Sequence, residues 1–163
     1  MLYDVPARTG TAMEAATLDE HAGHPNIRAV KDAKGDVFEA MSVMSRTSLD
    51  YCCGIDELNL PYLAIGATGL VSVVGNVVAE QNGELIYLVR DGDLVSARRL
   101  QSRLLPFADA VMRTSQGAIM AKVALHAVGI IDYAEVRLPL VESPQEHVRR
   151  LTAKLAHLPT RSI

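Results

Sequence analysis

Several residue types are scarce in this chain of 163 residues, and each scarcity excludes a class of function. There is no tryptophan and aromatic residues make up only 4%, so stacking on bases or sugars is not expected to be its main task. A net charge of −3 leaves no basic surface for nucleic acid. No apolar stretch reaches the ~20 residues of a membrane helix, and the chain opens without the pattern of a signal peptide. We therefore expect neither a nucleic acid nor a membrane as a partner.

Cysteine is equally scarce, with only Cys52 and Cys53, which are adjacent. Neighbours in sequence cannot staple a fold together, and two thiols do not complete a zinc site. They lie in an apolar run, which is typical of small buried side chains. Free thiols favour a cytoplasmic location. His21 and His24 lie close together without an evident third ligand, so we expect no metal.

The residues that are present alternate between strand and helix patterns. Short apolar runs predict strands at residues 1–3, 27–31, 49–53 and 70–74, and helical spacing fills the intervals at residues 13–23, 37–46 and 56–65. After Asn76 the pattern is helical at residues 77–90, 94–114, 118–128 and 145–156, with Pro106 expected to kink or break the second of these. Alternation of this kind indicates parallel strands, either in a doubly wound sheet or in half of a (β/α)₈ barrel.

Lys31 stands at the carboxyl end of the second predicted strand. Burial disfavours the charged form of a lysine, and the neutral amine is a nucleophile towards carbonyl carbons. The carboxyl ends of the strands form the active face of α/β barrels. Taken alone, however, such a lysine more often extends its amine to solvent.

Five segments carry a more specific signal in the order in which they occur. They read YDVPARTG at residues 3–10, AVKDAKG at 29–35, CGID at 53–56, GATGLVSV at 66–73 followed by Asn76, and KVALHAVG at 122–129. These segments resemble motifs of the dihydrodipicolinate synthase family, within the wider superfamily that includes N-acetylneuraminate lyase. Asp4 stands where the family motif has Asn, and Ile55 stands where the turn motif has Asp.

The resemblance implies a class I aldolase in which Lys31 forms an imine with pyruvate, with no metal and no diffusible cofactor. The imine would lose a methyl proton, and the resulting enamine would attack aspartate semialdehyde in lysine and diaminopimelate biosynthesis. Tyr3 would relay protons and Arg8 would bind the carboxylate of the semialdehyde. Gly54 and Val71 would line the pyruvate pocket with backbone groups. The substrates are then pyruvate and an aldehyde.

The resemblance also predicts the fold and its limits. The fold is expected to be α/β, the C-terminal half of a TIM barrel with strands five to eight, because a whole barrel takes about 250 residues. Residues 1–92 would form the half-barrel, and residues 93–163 a helical region packed on it. The partner would be the missing N-terminal half or a second copy of the chain. Two alternatives stay open: another pyruvate aldolase acting on sialic or sugar acids, and an incomplete fragment that acts only with a partner.

Overall fold

The fold was analysed in a computed structural model that describes residues 1–158. Two compact units divide the chain, Met1–Ser72 and the residues from Val73 onward. The first unit contains all four strands, and the second is helical. The last positions of the predicted helical region, residues 159–163, lie outside the described residues.

The first unit is built on a parallel sheet. Its strands are β1 (Leu2–Asp4), β2 (Ala29–Asp32), β3 (Asp50–Cys53) and β4 (Gly69–Leu70). The sheet order is β1-β2-β3-β4, and all neighbouring strands run parallel. A doubly wound sheet reverses its strand order at a switch point, and no reversal occurs among these strands. Consecutive parallel strands are the order of a (β/α) barrel, of which four strands are present.

Four helices and one 3₁₀ helix connect these strands. They are α1 (Pro6–Thr9), α2 (Ala15–Ala22), α3 (Val37–Met44), the 3₁₀ helix Asp56–Leu58 and α4 (Asn59–Ala64). Asp36 begins α3 because its carboxylate accepts a hydrogen bond from the Glu39 N–H at 2.9 Å, the usual N-cap contact. The short helix α1 was not predicted; it starts at Pro6, as first helical turns often do.

The two faces of the sheet differ in burial. Side chains alternate between the faces of a strand, so residues paired across strands share a face. One face, here called the covered face, packs against α2, α3 and α4; its core includes Leu18, Val30, Ala40, Val43, Leu49, Tyr51, Cys53, Tyr62 and Ala67. The other, here called the open face, carries Tyr3, Lys31 and Cys52, which are half-buried or exposed.

The second unit consists of four helices. They are α5 (Gly75–Arg90), α6 (Leu94–Met112), α7 (Gly117–Ala127) and α8 (Gln145–Leu155). The helix α6 packs against each of the other three. It runs through Pro106 without ending, so the break considered at this residue is wrong. Buried neighbours on α6, among them Leu104 and Phe107, hold the turn that the proline cannot bond.

Three details differ from the sequence expectations. The strand β4 is only Gly69–Leu70 because the chain leaves the sheet before Val74. The helix α3 buries Ala40 and Val43, whereas Phe38 and Met41, expected near its apolar face, are exposed. The compact units divide after Ser72 and not after residue 92, since α5 packs on α6 and α7.

Candidate active site

Tyr3 and Lys31 meet on the open face. The register of β1 and β2 pairs Tyr3 directly with Lys31. The Lys31 amine Nζ lies 4.1 Å from the centroid of the Tyr3 ring. A cation over an aromatic face is stabilised by about 0.5–1 kcal/mol at an exposed site. The sheet thus brings a candidate nucleophile and a candidate proton carrier together at adjoining strand ends.

Gly54 fixes the path of the Lys31 side chain. A Cβ atom on Gly54 would lie 3.0 Å from Lys31 Cε and 2.9 Å from the carbonyl oxygen of Asp32. Neither distance leaves room for a methyl group, so only glycine lets the chain pass this close to Lys31. The Gly54 N–H donates to that same Asp32 carbonyl at 2.7 Å. The residue is therefore required by close packing, whatever it contributes to a substrate.

Val71 lies next to the same strand end. Its N–H donates to the carbonyl of Cys53 at 2.8 Å, which continues the β3–β4 pairing beyond β4. The N–H groups of both Gly54 and Val71 are thus already used within the fold. If these two residues contact a substrate through their backbones, their carbonyl groups are the parts left to do so.

A buried carboxylate ties the ends of β3 and β4 together. Asp56 is only 3% exposed and accepts a hydrogen bond from the Ser72 hydroxyl. The Asn59 side-chain N–H₂ group lies 3.5 Å from the same carboxylate oxygen. Asp56 and Ser72 both belong to the motif segments identified in the sequence. Their structural part is to hold the turn after β3 against the segment after β4.

Arg8 lies on the short helix α1, which starts directly after β1. The side chain is exposed, and no ion pair or hydrogen bond of its guanidinium group occurs among residues 1–158. A guanidinium group in this state is available to bind a carboxylate. Its predicted role in binding substrate stays a prediction.

The covered face carries ionisable groups directly behind the site. Burial raises the pKa of the Asp32 carboxyl above its usual value; the Asp4 charge adds to this rise, and hydrogen bonds from the Lys34 and Gly35 N–H groups oppose it. Burial and then the Asp32 charge raise the pKa values of the Tyr51 and Tyr62 hydroxyls. Both tyrosines therefore stay protonated near neutral pH. Burial likewise raises the pKa of the Cys53 thiol, to about 12.

The sequence stage assigned no role to several of these groups. Asp32, Asp56 and Ser72 appeared only as motif positions, yet they form the buried contacts that fix the strand ends. The alternation of side chains along β2 could have signalled that Asp32 lies behind Lys31. No group of three or more His, Cys, Asp or Glu side chains within residues 1–158 could hold a metal ion. The described helices also include none with the length and apolarity needed to cross a membrane.

The consecutive parallel strands, with a lysine at a strand end beside a tyrosine, define an α/β-barrel protein built around a reactive amine. Comparison with known proteins then places it more narrowly. Residues 1–158 match the model of the dihydrodipicolinate synthetase family, and the chain belongs to that family. The fold likewise matches solved structures of its members.

Curated relatives carry the same assignment. The chain is 44% identical over 156 residues to a 4-hydroxy-tetrahydrodipicolinate synthase from Kineococcus radiotolerans, covering 96% of this chain and 51% of that protein. It is 48% identical over 157 residues to the protein of the same name from Acidothermus cellulolyticus, covering 96% of this chain and 50% of that one. The chain thus spans about half the length of the curated relatives that it matches.

Two solved structures illustrate the agreement in fold. A dihydrodipicolinate synthase from Bacillus anthracis matches with a TM-score of 0.91 and 30% identity, over 98% of this chain and 55% of that one. A chloride-inhibited dihydrodipicolinate synthase from Acinetobacter baumannii, solved in complex with pyruvate, matches with a TM-score of 0.90 and 28% identity, over 96% and 54% of the two chains.

Proposed function

We propose that this chain is the C-terminal, lysine-bearing half of a 4-hydroxy-tetrahydrodipicolinate synthase barrel, with its strands in positions five to eight. The observation that carries the proposal is the Lys31 amine held 4.1 Å from the Tyr3 ring at the ends of paired parallel strands. The names of the relatives and the pyruvate complex of the Acinetobacter protein support the substrate. We place the reaction in the cytoplasm, in keeping with the free thiols of Cys52 and Cys53.

The proposed chemistry begins at Lys31. Its neutral amine adds to the ketone carbon of pyruvate, and loss of water leaves a protonated imine. The imine draws electrons from the neighbouring methyl group, which releases a proton and becomes an enamine carbon. That carbon bonds to the aldehyde carbon of aspartate semialdehyde. The amino group of the semialdehyde then displaces the Lys31 amine at the imine carbon, which closes the ring and frees the lysine.

Tyr3 is the proposed proton carrier. Its ring lies beside the Lys31 amine, where the carbinolamine must lose water and the new alkoxide must gain a proton. A positioned acid–base group of this kind contributes about 10²- to 10⁴-fold to a rate. Arg8 is the proposed carboxylate anchor for the aldehyde, because its exposed guanidinium group can form the bidentate contact that a carboxylate accepts.

The remaining barrel strands are proposed to come from a partner. The strands β1 and β4 are the two edges of the sheet, and each presents unpaired backbone groups on one side. The relatives have about as much chain again beyond the part matched here. That remaining half, or a second copy of this chain, would supply strands to both edges.

The proposal is tested by restoring the remainder of the barrel. The chain is co-expressed with the part of the Kineococcus relative that it does not cover, and the co-purified assembly is assayed for condensation of pyruvate with aspartate semialdehyde. We expect turnover that is lost in the Lys31→Ala variant and kept in a matched Lys154→Ala control on α8.

Three other outcomes would contradict the proposal. Turnover of sugar-derived aldehydes without turnover of aspartate semialdehyde would favour another pyruvate aldolase of the superfamily. A well-folded assembly without turnover would favour a non-catalytic partner module. Activity that survives Lys31→Ala would remove the imine at Lys31.

A further inference from the structure

Two carboxylates lie side by side directly behind the site. The register of β1 and β2 pairs Asp4 with Asp32, one residue beyond the pair formed by Tyr3 and Lys31. Asp4 is 2% exposed and Asp32 is 4% exposed, and neighbouring strands lie about 4.8 Å apart. Two like charges this close and this dry repel each other unless something compensates them.

Lys34 serves both carboxylates. Its amine Nζ lies 3.4 Å from Asp4 Oδ2, and its backbone N–H donates to Asp32 Oδ1 at 2.8 Å. The same amine donates to the carbonyl oxygen of Met13 at 2.9 Å and to the Glu39 carboxylate. One residue therefore joins the ends of β1 and β2 to the segment before α2 and to α3. Its side chain is only 15% exposed, so little water screens these contacts.

The charges around this point favour a tightly held ammonium. Burial lowers the pKa of Lys34, but its hydrogen bond to Glu39 and the charges of Glu39 and Asp4 outweigh that effect and raise the pKa overall. Lys34 therefore stays protonated wherever the carboxylates around it are ionised. Asp4 also accepts the Met13 N–H at 3.2 Å, so the pair is part of a connected network.

We infer that Lys34 is a positioning residue for the Schiff-base site: it supplies the counter-charge that lets Asp4 lie beside Asp32, and it thereby keeps Tyr3 over Lys31. The sequence offers independent support. Asp4 replaces the Asn of the resembling motif, and position 34 is the variable position of the lysine motif. A charge introduced at one position is thus matched by an opposite charge at a position free to vary.

The route from Lys34 to the amine is short. The Ala33 N–H donates to the Asp4 carbonyl at 2.8 Å, which closes the end of the β1–β2 ladder. Repulsion between Asp4 and Asp32 would strain this closure and separate the strand ends. Tyr3 and Lys31 immediately precede the two carboxylates on the same strands, so they would separate as well. The link to catalysis rests on the proposed function, whereas the link to the Lys31 environment does not.

A double-mutant cycle on the whole chain tests the inference. The variants are Lys34→Met, Asp4→Asn, the two combined, and the conservative Lys34→Arg, with Lys154→Met on α8 as a matched lysine control. Two readouts are taken: the thermal unfolding midpoint, and the rate at which a general amine-acylating reagent labels Lys31, mapped by peptide mass well below that midpoint. The second readout reports the cover of Tyr3 over the amine and needs no enzymatic activity.

We expect Lys34→Met to lower the unfolding midpoint and to raise the labelling rate of Lys31 several-fold. Adding Asp4→Asn should restore both values most of the way, and Lys34→Arg and Lys154→Met should leave the labelling rate unchanged. The inference is overturned if Asp4→Asn fails to rescue Lys34→Met, or if Lys34→Met leaves the labelling rate of Lys31 as it was. Failure of the completed assembly to use pyruvate would remove the proposed function instead, and the labelling cycle would still decide this inference.

Discussion

The open and covered faces of the sheet place neighbouring residues in opposite surroundings. On β2, Lys31 lies half-buried on the open face beside Tyr3, whereas Asp32 is buried on the covered face and bonded to backbone N–H groups. On β3, Cys52 and Cys53 divide in the same way. The difference shows how a fold separates two demands. Groups for chemistry remain accessible on one side, while the groups that fix their positions are dry and fully bonded on the other.

The adjacent residues of β2 offer the largest contrast. Lys31→Ala should abolish imine formation yet change the free energy of unfolding by under about 1 kcal/mol, because only its contact with the Tyr3 ring is lost. Asp32→Ala should lower the free energy of unfolding by about 1–3 kcal/mol, because the buried Lys34 N–H loses its acceptor. Denaturant unfolding and pyruvate trapping on both variants measure the two effects. Equal losses of stability would break the comparison between the faces.

Tyr3→Phe sharpens the account of the open face. The ring and its contact with Lys31 are kept, and only the hydroxyl is removed. We expect the condensation rate of the completed assembly to fall about 10²-fold, with the unfolding midpoint unchanged. Tyr87→Phe is the matched control, since Tyr87 is exposed on α5 and stacks on Arg90. A Tyr3→Phe variant with full activity would show that the hydroxyl carries no proton in the reaction.

Gly54→Ala tests how closely the two faces are coupled through the strand ends. The added methyl group would meet the Asp32 carbonyl and Lys31 Cε at about van der Waals overlap, which should lower the free energy of unfolding by about 1–3 kcal/mol and slow trapping at Lys31. Gly83→Ala on α5 is the control, because nothing lies within 4 Å of its Cβ position and alanine favours a helix. If the two variants unfold alike, the close packing at Gly54 is not what positions the lysine.

The smallest expected effect concerns Cys53 at high pH. Its thiol has a pKa of about 12 because it is buried, whereas an unfolded thiol ionises near about 8.5. The folded pKa is the higher one, so this contribution to stability is complete below pH ~8.5 and is lost as the pH rises towards about 12. Cys53→Ala should therefore lose stability less steeply than the unaltered chain between these values, followed by urea unfolding. Cys52→Ala is the control, and an identical slope for Cys53→Ala would contradict the assignment.

The sequence predicted the parts of the fold that repeat a simple pattern. The alternation of apolar runs located all four strands within a few residues, and the motifs around Tyr3 and Lys31 identified the two residues that the register pairs. The break considered at Pro106 was wrong because packing along α6 outweighs the lost hydrogen bond. The exposed position of Phe38 was missed because residue spacing alone does not tell which helix face a sheet will cover.

The candidate site was only partly accessible to the same reasoning. Motif positions give a chain order, and they do not show that a Cβ on Gly54 would strike Lys31 Cε. The link between Asp4 and Lys34 joins residues thirty apart, and it depends on the side-chain path that the β1–β2 register sets. Contacts of this kind follow from three-dimensional register, which local sequence patterns do not contain.

Borohydride trapping with pyruvate tests the central claim most directly. The completed assembly is incubated with pyruvate, reduced, and digested, and the modified peptide is located by mass. The account predicts one pyruvate-sized adduct on Lys31, absent from Lys31→Ala and still present in Lys154→Ala. A folded assembly with no adduct, or with its adduct on another lysine, would contradict the account and leave Lys31 as a structural residue.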